Sequence, residues 1–289
     1  MNRILFLLIA ILTSAATRAD DSITVERLLH QGIQQPAHTN LMLYYANQLK
    51  GIPYVAKTLE VNSTEQLAVN LSSLDCTTLV ENVVALCLTT QERRTRFADF
   101  KRNLRRIRYR NGILDGYASR NHYFSEWIIS NEHMGIVQEI KGKADDRRGA
   151  FYPFVELQTL SCTYMTEHPD FYPMLKNDLQ SRQLIAANEK RINGKQVRYI
   201  PHRLLNASRK ELSCIHDGDI LAIVTKKKGL DTTHIGLAVW GKDGHLHLLN
   251  ASQIHKKVVL EPMTLYEYMQ KHPTQLGVRV IRVCAPSAA

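Results

Sequence analysis

Hydrophobic residues recur at helical spacing through the first third of the chain. Two segments, one starting at Ser22 and one at Thr39, carry apolar residues three and four positions apart, and the second ends at Gly51 with Pro53 just beyond. Glycine followed by proline is a common helix stop. A third apolar stripe predicts a helix that begins near Cys76. The same spacing, less regular, predicts further helices over 92–109, 174–192 and 263–272.

After residue 195 the pattern changes to short runs rich in β-branched residues and separated by turn residues. These runs are KQVRYIP, GDILAIVT, HIGLAVW, HLHLLNAS and GVRVIRV. The segment GKDG at 241–244 lies between the third and fourth runs and predicts a hairpin. Helices that come first and antiparallel strands that follow indicate an α+β fold.

The first nineteen residues have the features of an export signal. Arg3 precedes the apolar run Ile4 to Leu12, and Ala19 supplies a small residue at the expected cleavage position. The run is too short to span a membrane, which takes about 20 apolar residues. We therefore expect a cleaved signal peptide over 1–19 and an exported protein, periplasmic or secreted, with no membrane segment after cleavage.

The rest of the chain contains no repeat, low-complexity tract or linker rich in proline and serine. We expect a single domain over 20–289. The weakly patterned region around 93–200 is expected to be a large helical or irregular insertion that walls a cleft.

The formal net charge is +10. Such an excess of basic over acidic residues favours an anionic partner such as a cell wall, a membrane surface or nucleic acid, although it can also serve solubility alone. An exported protein rarely meets nucleic acid, so we expect no nucleic-acid partner. The basic segment 93–110 is typical of a helix with solvated basic faces.

Five cysteines are present, an odd number that leaves at least one thiol unpaired within the chain. Cys76 stands at the predicted start of an apolar helix. It is either a small buried residue or a nucleophile. At a helix start, free amide N–H groups and the positive end of the helix dipole favour the thiolate, which predicts a lowered pKa.

A thiolate nucleophile needs a base and a group that orients the base. His234 begins an apolar strand, and across the predicted hairpin Asn250 stands at a similar distance from the turn. Asn250 could therefore bond one ring nitrogen of His234. His247 is the competitor for this role, but it is three residues from Asn250 and should point to the opposite face.

A zinc site is the alternative chemistry. His245 and His247 share one strand face, and His255 follows nearby. Strand histidines without a further anchored ligand are more often surface residues, so we expect neither a metal nor a cofactor.

Five short motifs together resemble the NlpC-type cell-wall hydrolases of the papain-like superfamily and, more narrowly, the N-acetylmuramoyl-L-alanine amidase-like branch. The motifs are GIPYV at 51–55, LDCTTLVE at 74–81, GDILAIVT at 218–225, DTTHIGLAV at 231–239 and LLNAS at 248–252. The resemblance covers roughly residues 40–289, and the motifs occur in the same order as in the family.

The resemblance implies a papain-like NlpC-type fold, in which a nucleophile helix packs on an antiparallel sheet. It implies Cys76 as nucleophile, His234 as base and Asn250 as the third polar residue, where many NlpC-type sequences have histidine. Tyr54 and Asp75 match positions that line the nucleophile and bind substrate. The glycine pair that usually follows the tyrosine motif is absent here.

The implied activity is hydrolysis of the amide between N-acetylmuramic acid and the L-alanine of the stem peptide. The alternatives are a cysteine endopeptidase that cuts within the stem, and a wall-binding protein that has lost activity. The expected partner is peptidoglycan or a muropeptide, bound by a monomer.

Overall fold

The structure is a computed structural model that describes residues 21–141 and 152–284. The expected signal peptide at 1–19 lies outside the described residues. Among the described helices, none combines the length and the apolar character that crossing a membrane requires.

Most helices come before residue 195 and most strands after it, as the hydrophobic pattern predicts, but two short strands lie within the first part of the chain. The helices are α1 (21–33), α2 (Leu41–Gln48), α3 (Cys76–Gln91), α4 (Phe97–Arg108), α5 (Phe124–His133), α6 (Tyr164–Glu167), α7 (Leu179–Ile192) and α8 (Leu265–Gln270). The strands are β1 (Val137–Ile140), β2 (Glu156–Thr159), β3 (Gln196–Pro201), β4 (Ile220–Thr225), β5 (Thr232–Trp240), β6 (Leu246–Ser252), β7 (Lys257–Leu260) and β8 (Gln275–Val283). The protein is thus a mixed α+β protein.

Several boundaries and elements differ from the prediction. Helix α7 begins at Leu179 rather than at 174, because the Asp178 side chain accepts a hydrogen bond from the Ser181 N–H and caps the helix there. The sequence pattern does not predict α5, whose buried face includes the polar residues Ser125 and Asn131. It also misses β2 and β7, which have only four residues each.

All strand pairs are antiparallel. The order in the sheet is β2-β3-β8-β4-β5-β6-β7, and β1 also pairs with β8. The predicted hairpin joins β5 to β6, with Leu237 opposite Leu249 and Trp240 opposite Leu246. Thus the two strands that carry the candidate base and its orienting residue are neighbours.

The sheet is covered on both faces, so its central strand β4 is buried along its whole length. Ile235 and Leu237 of β5 pack in the core formed with α1 to α5. Ala238 and Leu248 pack in a second core with Leu265 of α8. A strand buried on both faces reads as a continuous apolar run, as β4 does.

A buried ion pair ties α3 to α4. Arg108 Nε donates to Glu81 Oε2 at 2.6 Å, and both side chains are almost fully buried. Arg108 Nη1 also donates to the Ala68 carbonyl at 2.5 Å, which attaches the loop that precedes α3. This one guanidinium group therefore links α3 both to α4 and to the loop before α3.

We expect Arg108→Leu to lower the free energy of unfolding by about 3–5 kcal/mol, because it leaves the Glu81 carboxylate buried and unpaired. The control is Arg102→Leu, which breaks the exposed pairs with Glu92 and Asp99. That change should cost about 1 kcal/mol or less. Urea unfolding measures the free energy of unfolding of both variants. Equal losses would show that the buried ion pair contributes no more to stability than the exposed pairs do.

Candidate functional site

The Cys76 thiol is fixed at the N-terminal end of α3 by a capping box. Asp75 is the N-cap, and its Oδ1 accepts from the Thr78 N–H at 2.8 Å. The Asp75 N–H donates in return to Thr78 Oγ1 at 2.9 Å. Because this box defines the first turn, Cys76 is the first residue of the helix.

The same end of α3 meets the start of β5. Helix α3 packs against β5 and β6, and the Ile235 backbone amide is close enough to the Cys76 thiol to act on its pKa, in the lowering direction. Ile235 is the neighbour of His234 in the chain. The fold therefore brings Cys76 and His234, which are far apart in sequence, to one place.

A β-bulge sets the direction of His234. Ile223 of β4 is opposite His234, whereas Val224 is opposite Thr232, so Thr233 is the extra residue. A bulge turns the side chains that follow it relative to the regular strand, and bulges are frequent next to active sites. The sequence gives no sign of this bulge.

His234 forms the predicted contact with Asn250. Its Nε2 lies 3.0 Å from Asn250 Oδ1, and Nδ1 has no hydrogen-bond partner among the described residues. Gly236 lies between the two positions on the same face. A Cβ there would come within 2.8 Å of both the Leu248 side chain and the Leu249 carbonyl. A glycine at this position therefore allows β5 and β6 to pack closely beside the His234–Asn250 contact.

Cys76 and His234 line one cavity of about 310 Å³. Its wall combines charged groups with aromatic rings. These residues are Lys57, Glu60, Asp75, Glu81, Arg120, Asp231, Tyr123, Phe124, Trp127 and Tyr172. Such a mixture of apolar surface and a few fixed polar groups is typical of a site for an organic ligand.

The electrostatics of the thiol contradict the sequence-based expectation. Burial raises the pKa of Cys76 to about 11, and the neighbouring Asp75 carboxylate adds to the rise. The N–H groups of Ile235 and Thr77 oppose this effect but do not overcome it. Burial also lowers the pKa of His234. The resting site thus holds a neutral thiol and a neutral imidazole at neutral pH.

Of the two candidate substrate-binding residues, Asp75 lines the cavity with Cys76, whereas Tyr54 is near Cys76 but is not among the residues that line the cavity. Tyr54 forms an isolated β-bridge with Leu74. Burial raises the pKa of the Tyr54 phenol, and the nearby Cys76 adds to that rise. Asp75 lines the cavity, but its Oδ1 is engaged in the capping box, and its Oδ2 accepts from Thr58 at 3.4 Å.

His247 does not contact His234. Its Nε2 lies 3.0 Å from Asp243 Oδ2, and its Nδ1 lies 3.1 Å from the Glu261 carbonyl. No three His, Cys, Asp or Glu side chains within 21–141 and 152–284 are grouped so that they could hold a metal ion. The geometry therefore selects Asn250 as the residue that contacts His234.

Comparison with known proteins gives the family. A sequence model described as N-acetylmuramoyl-L-alanine amidase-like matches residues 44–278, most of the chain. The chain belongs to the N-acetylmuramoyl-L-alanine amidase-like family. No curated protein matches the sequence.

Solved structures agree with this membership in the amidase-like family. An N-acetylmuramoyl-L-alanine amidase from Bacteroides uniformis is 36% identical, with a TM-score of 0.76, covering 88% of this chain and 99% of that one. A protein from Bacteroides fragilis named as a xylanase is 38% identical, with a TM-score of 0.74, covering 83% and 100%. A protein from Legionella pneumophila shares the fold at 21% identity and a TM-score of 0.68, covering 93% and 96%.

One functional candidate, Glu261, was missed by sequence reasoning. Glu261 Oε1 accepts from Asn250 Nδ2 at 3.2 Å, and Glu261 Oε2 lies 3.0 Å from His255 Nε2. The carboxylate is buried. The available signal was an acid directly after the apolar run Val258 to Leu260 and before a proline, an unusual place for a charge.

All five cysteines are free thiols in the structure. Cys87 and Cys162 are buried, and burial raises the pKa of each. Only Cys76 among the five lines the cavity that contains His234.

Because the Asp75 carboxylate raises the pKa of Cys76, we expect Asp75→Asn to lower that pKa and to speed alkylation of Cys76 by iodoacetamide near neutral pH. Asparagine caps helices as well as aspartate does, so the helix start is preserved. In the unchanged protein, alkylation should rise steadily above pH 7 towards the pKa of about 11. Peptide mass spectrometry gives the rate at each pH.

Cys214 provides the internal control for this experiment. Burial raises its pKa to about 11 as well, and Asp75 is not among the groups that affect it. Its alkylation should be the same in both proteins. A rate at Cys76 that is already independent of pH through the neutral range would mean a preformed thiolate and would contradict this account.

Proposed function

We propose that the protein is a cysteine hydrolase of peptidoglycan fragments that cleaves the amide between N-acetylmuramic acid and the L-alanine of the stem peptide. The observation that supports this most is the placement of Cys76 and His234 in one cavity, with His234 Nε2 bonded to Asn250. The name of the Bacteroides uniformis relative points to the same bond.

His234 acts as a general base in this proposal. Its Nε2 carries the proton that Asn250 Oδ1 accepts, so Nδ1 has the lone pair that takes the Cys76 proton. The lowered pKa of His234 keeps the ring unprotonated near neutral pH. The raised pKa of Cys76 means that the thiolate forms only as the proton moves to His234.

The reaction proceeds in two halves. The Cys76 sulfur bonds to the amide carbonyl carbon, and His234 gives its acquired proton to the leaving amine as the C–N bond breaks. Water, deprotonated by His234, then attacks the thioester, and the C–S bond breaks with return of the proton to the thiol. No other reactant is required.

The oxyanion formed in each half needs hydrogen-bond donors. The amides in the first turn of α3 and the Tyr54 hydroxyl are the candidates, because both lie beside Cys76. Asp75 Oδ2 has only a long bond to Thr58 and is available to a donor on the substrate peptide.

The papain-like NlpC assignment belongs to this proposal. It is supported by Cys76 at the start of a helix packed on an antiparallel sheet that carries His234. A cell-wall substrate also agrees with export through residues 1–19 and with the net charge of +10, since wall polymers are commonly anionic.

Glycoside hydrolysis, which the name of the Bacteroides fragilis relative would suggest, fits the cavity less well. Glycosidases need one free carboxylic acid and one free carboxylate on either side of the bond. Three of the four cavity carboxylates, Glu60, Glu81 and Asp231, are held by an arginine or by a backbone donor, which leaves only Asp75 with an oxygen in a long contact. No such free pair exists among the described cavity residues.

The test is incubation with a defined muramyl peptide, followed by mass analysis of the products. We expect release of the intact stem peptide with a free L-alanine amine. Cys76→Ala should abolish release, and His234→Ala should slow it about 10²- to 10⁴-fold because proton transfer is lost. Asn250→Ala should cost less, since it removes orientation and not the base.

His133→Ala, at an exposed histidine at the end of α5, is the matched control and should leave the rate unchanged. A shortened stem that remains on the sugar would indicate the endopeptidase instead. Binding of muramyl peptide without cleavage, equal in wild type and Cys76→Ala, would indicate an inactive wall-binding protein.

A further inference from the structure

We propose that Glu261 is a positioning residue that holds the proton of His234 on Nε2 by acting through Asn250. As a statement about catalysis it rests on the proposed function, whereas the control of the His234 tautomer stands on geometry alone.

Glu261 is fixed beside the strand that carries Asn250. It follows β7 directly, and its backbone N–H donates to the Leu248 carbonyl of β6 at 2.9 Å. Its side chain has no exposed surface. Because a buried carboxylate requires hydrogen-bond donors, the groups around it are constrained in which atom they can present.

The two carboxylate oxygens have one partner each. Asn250 Nδ2 donates to Oε1 at 3.2 Å, and His255 Nε2 lies 3.0 Å from Oε2. Asn250 Nδ2 is also 3.4 Å from the Leu248 carbonyl, a second acceptor. Both neighbours of this amide nitrogen are therefore acceptors, and the nitrogen can only donate.

This arrangement determines the His234 proton. With Nδ2 of Asn250 held toward Glu261, Oδ1 must face His234 Nε2 at 3.0 Å. An amide oxygen accepts only, so Nε2 must carry the proton and Nδ1 must carry the lone pair. If Asn250 turned over, its NH2 group would require a lone pair on Nε2, and the proton would move to Nδ1, the atom that must take the Cys76 proton.

Glu261 has no contact with the cavity and does not line it. Its effect should therefore fall on the protonation geometry of His234 and not on substrate binding. His255, whose side chain is about one-third exposed, serves to satisfy the second oxygen of the carboxylate.

The most informative variant is Glu261→Gln, which is nearly isosteric. A glutamine can accept from Asn250 and donate to His255, or donate to an overturned Asn250 and accept from His255. The first arrangement keeps the long 3.4 Å contact of Asn250 Nδ2 with the Leu248 carbonyl and the second loses it, so the variant should populate the Nδ1-protonated tautomer of His234 beside the original one. Glu261→Met, which cannot accept at all, leaves only that long contact to hold Asn250 in place.

The experiment records ¹⁵N spectra of the histidine side chains at about pH 8, above the ordinary histidine pKa. His234→Gln identifies the His234 signals by their loss. The unchanged protein should show only the tautomer protonated on Nε2, and Glu261→Gln should show a second population protonated on Nδ1. Asp243→Asn, which removes the carboxylate from the separate His247 pair, should leave the His234 signals unchanged.

Kinetics on the muramyl peptide provide the second measurement. We expect kcat to fall about 2- to 10-fold in Glu261→Gln, in proportion to the competent fraction, and about 10- to 100-fold in Glu261→Met, as for other residues that orient a functional histidine. KM should stay within about twofold, since Glu261 is outside the cavity.

A single Nε2-protonated tautomer in both variants overturns the proposal, as does a rise in KM with kcat unchanged. If Glu261→Met fails to fold, the spectrum of Glu261→Gln alone decides. A tautomer change in a protein that cleaves no muramyl peptide would support the positioning role while removing the proposed function. Cleavage of the muramyl peptide with no tautomer change in either variant would support the proposed function and overturn the positioning role of Glu261.

Discussion

The meeting of the α3 N-terminus with the start of β5 is the constraint on which the rest of the site depends. The Asp75 capping box fixes where the helix begins, and the Ile235 backbone amide lies close enough to the Cys76 thiol to act on its pKa. The buried pair of Arg108 and Glu81 ties α3 to α4. If any of these three contacts moved by one turn or one strand position, the thiol would no longer share a cavity with the imidazole.

The same packing that assembles the site leaves Cys76 and His234 only partly exposed to water, and this affects its resting state. Desolvation disfavours charge on both groups, which raises the pKa of the thiol and lowers that of the imidazole. A neutral pair is less reactive toward chance electrophiles than a stable thiolate. In the proposed mechanism it also makes the orientation of His234 more important, because the nitrogen that takes the thiol proton must be unprotonated before the reaction starts. The positioning role that we propose for Glu261, acting through Asn250, would meet that requirement.

Much of this site can be predicted from sequence, and the remainder cannot, for physical reasons. The contact between His234 and Asn250 follows from strand alternation and a tight hairpin, both of which are local patterns. The position of Cys76 follows from its apolar stripe and its capping residue. The bulge at Thr233 and the pairing of β7 with β6, which brings Glu261 to Asn250, are set by tertiary packing and leave no local pattern. The direction of the Cys76 pKa also depended on tertiary structure: the helix start favoured a fall, but burial and Asp75 reversed it.

The central claim is that Cys76 attacks the amide that joins the sugar to its peptide. The most direct test is to mix the protein with a muramyl peptide, quench in acid within one turnover and measure the intact mass. The account predicts an adduct on Cys76 equal to the sugar with its acyl group, with the whole stem peptide lost. An adduct that retains stem residues, or stem release by the Cys76→Ala protein, would contradict it.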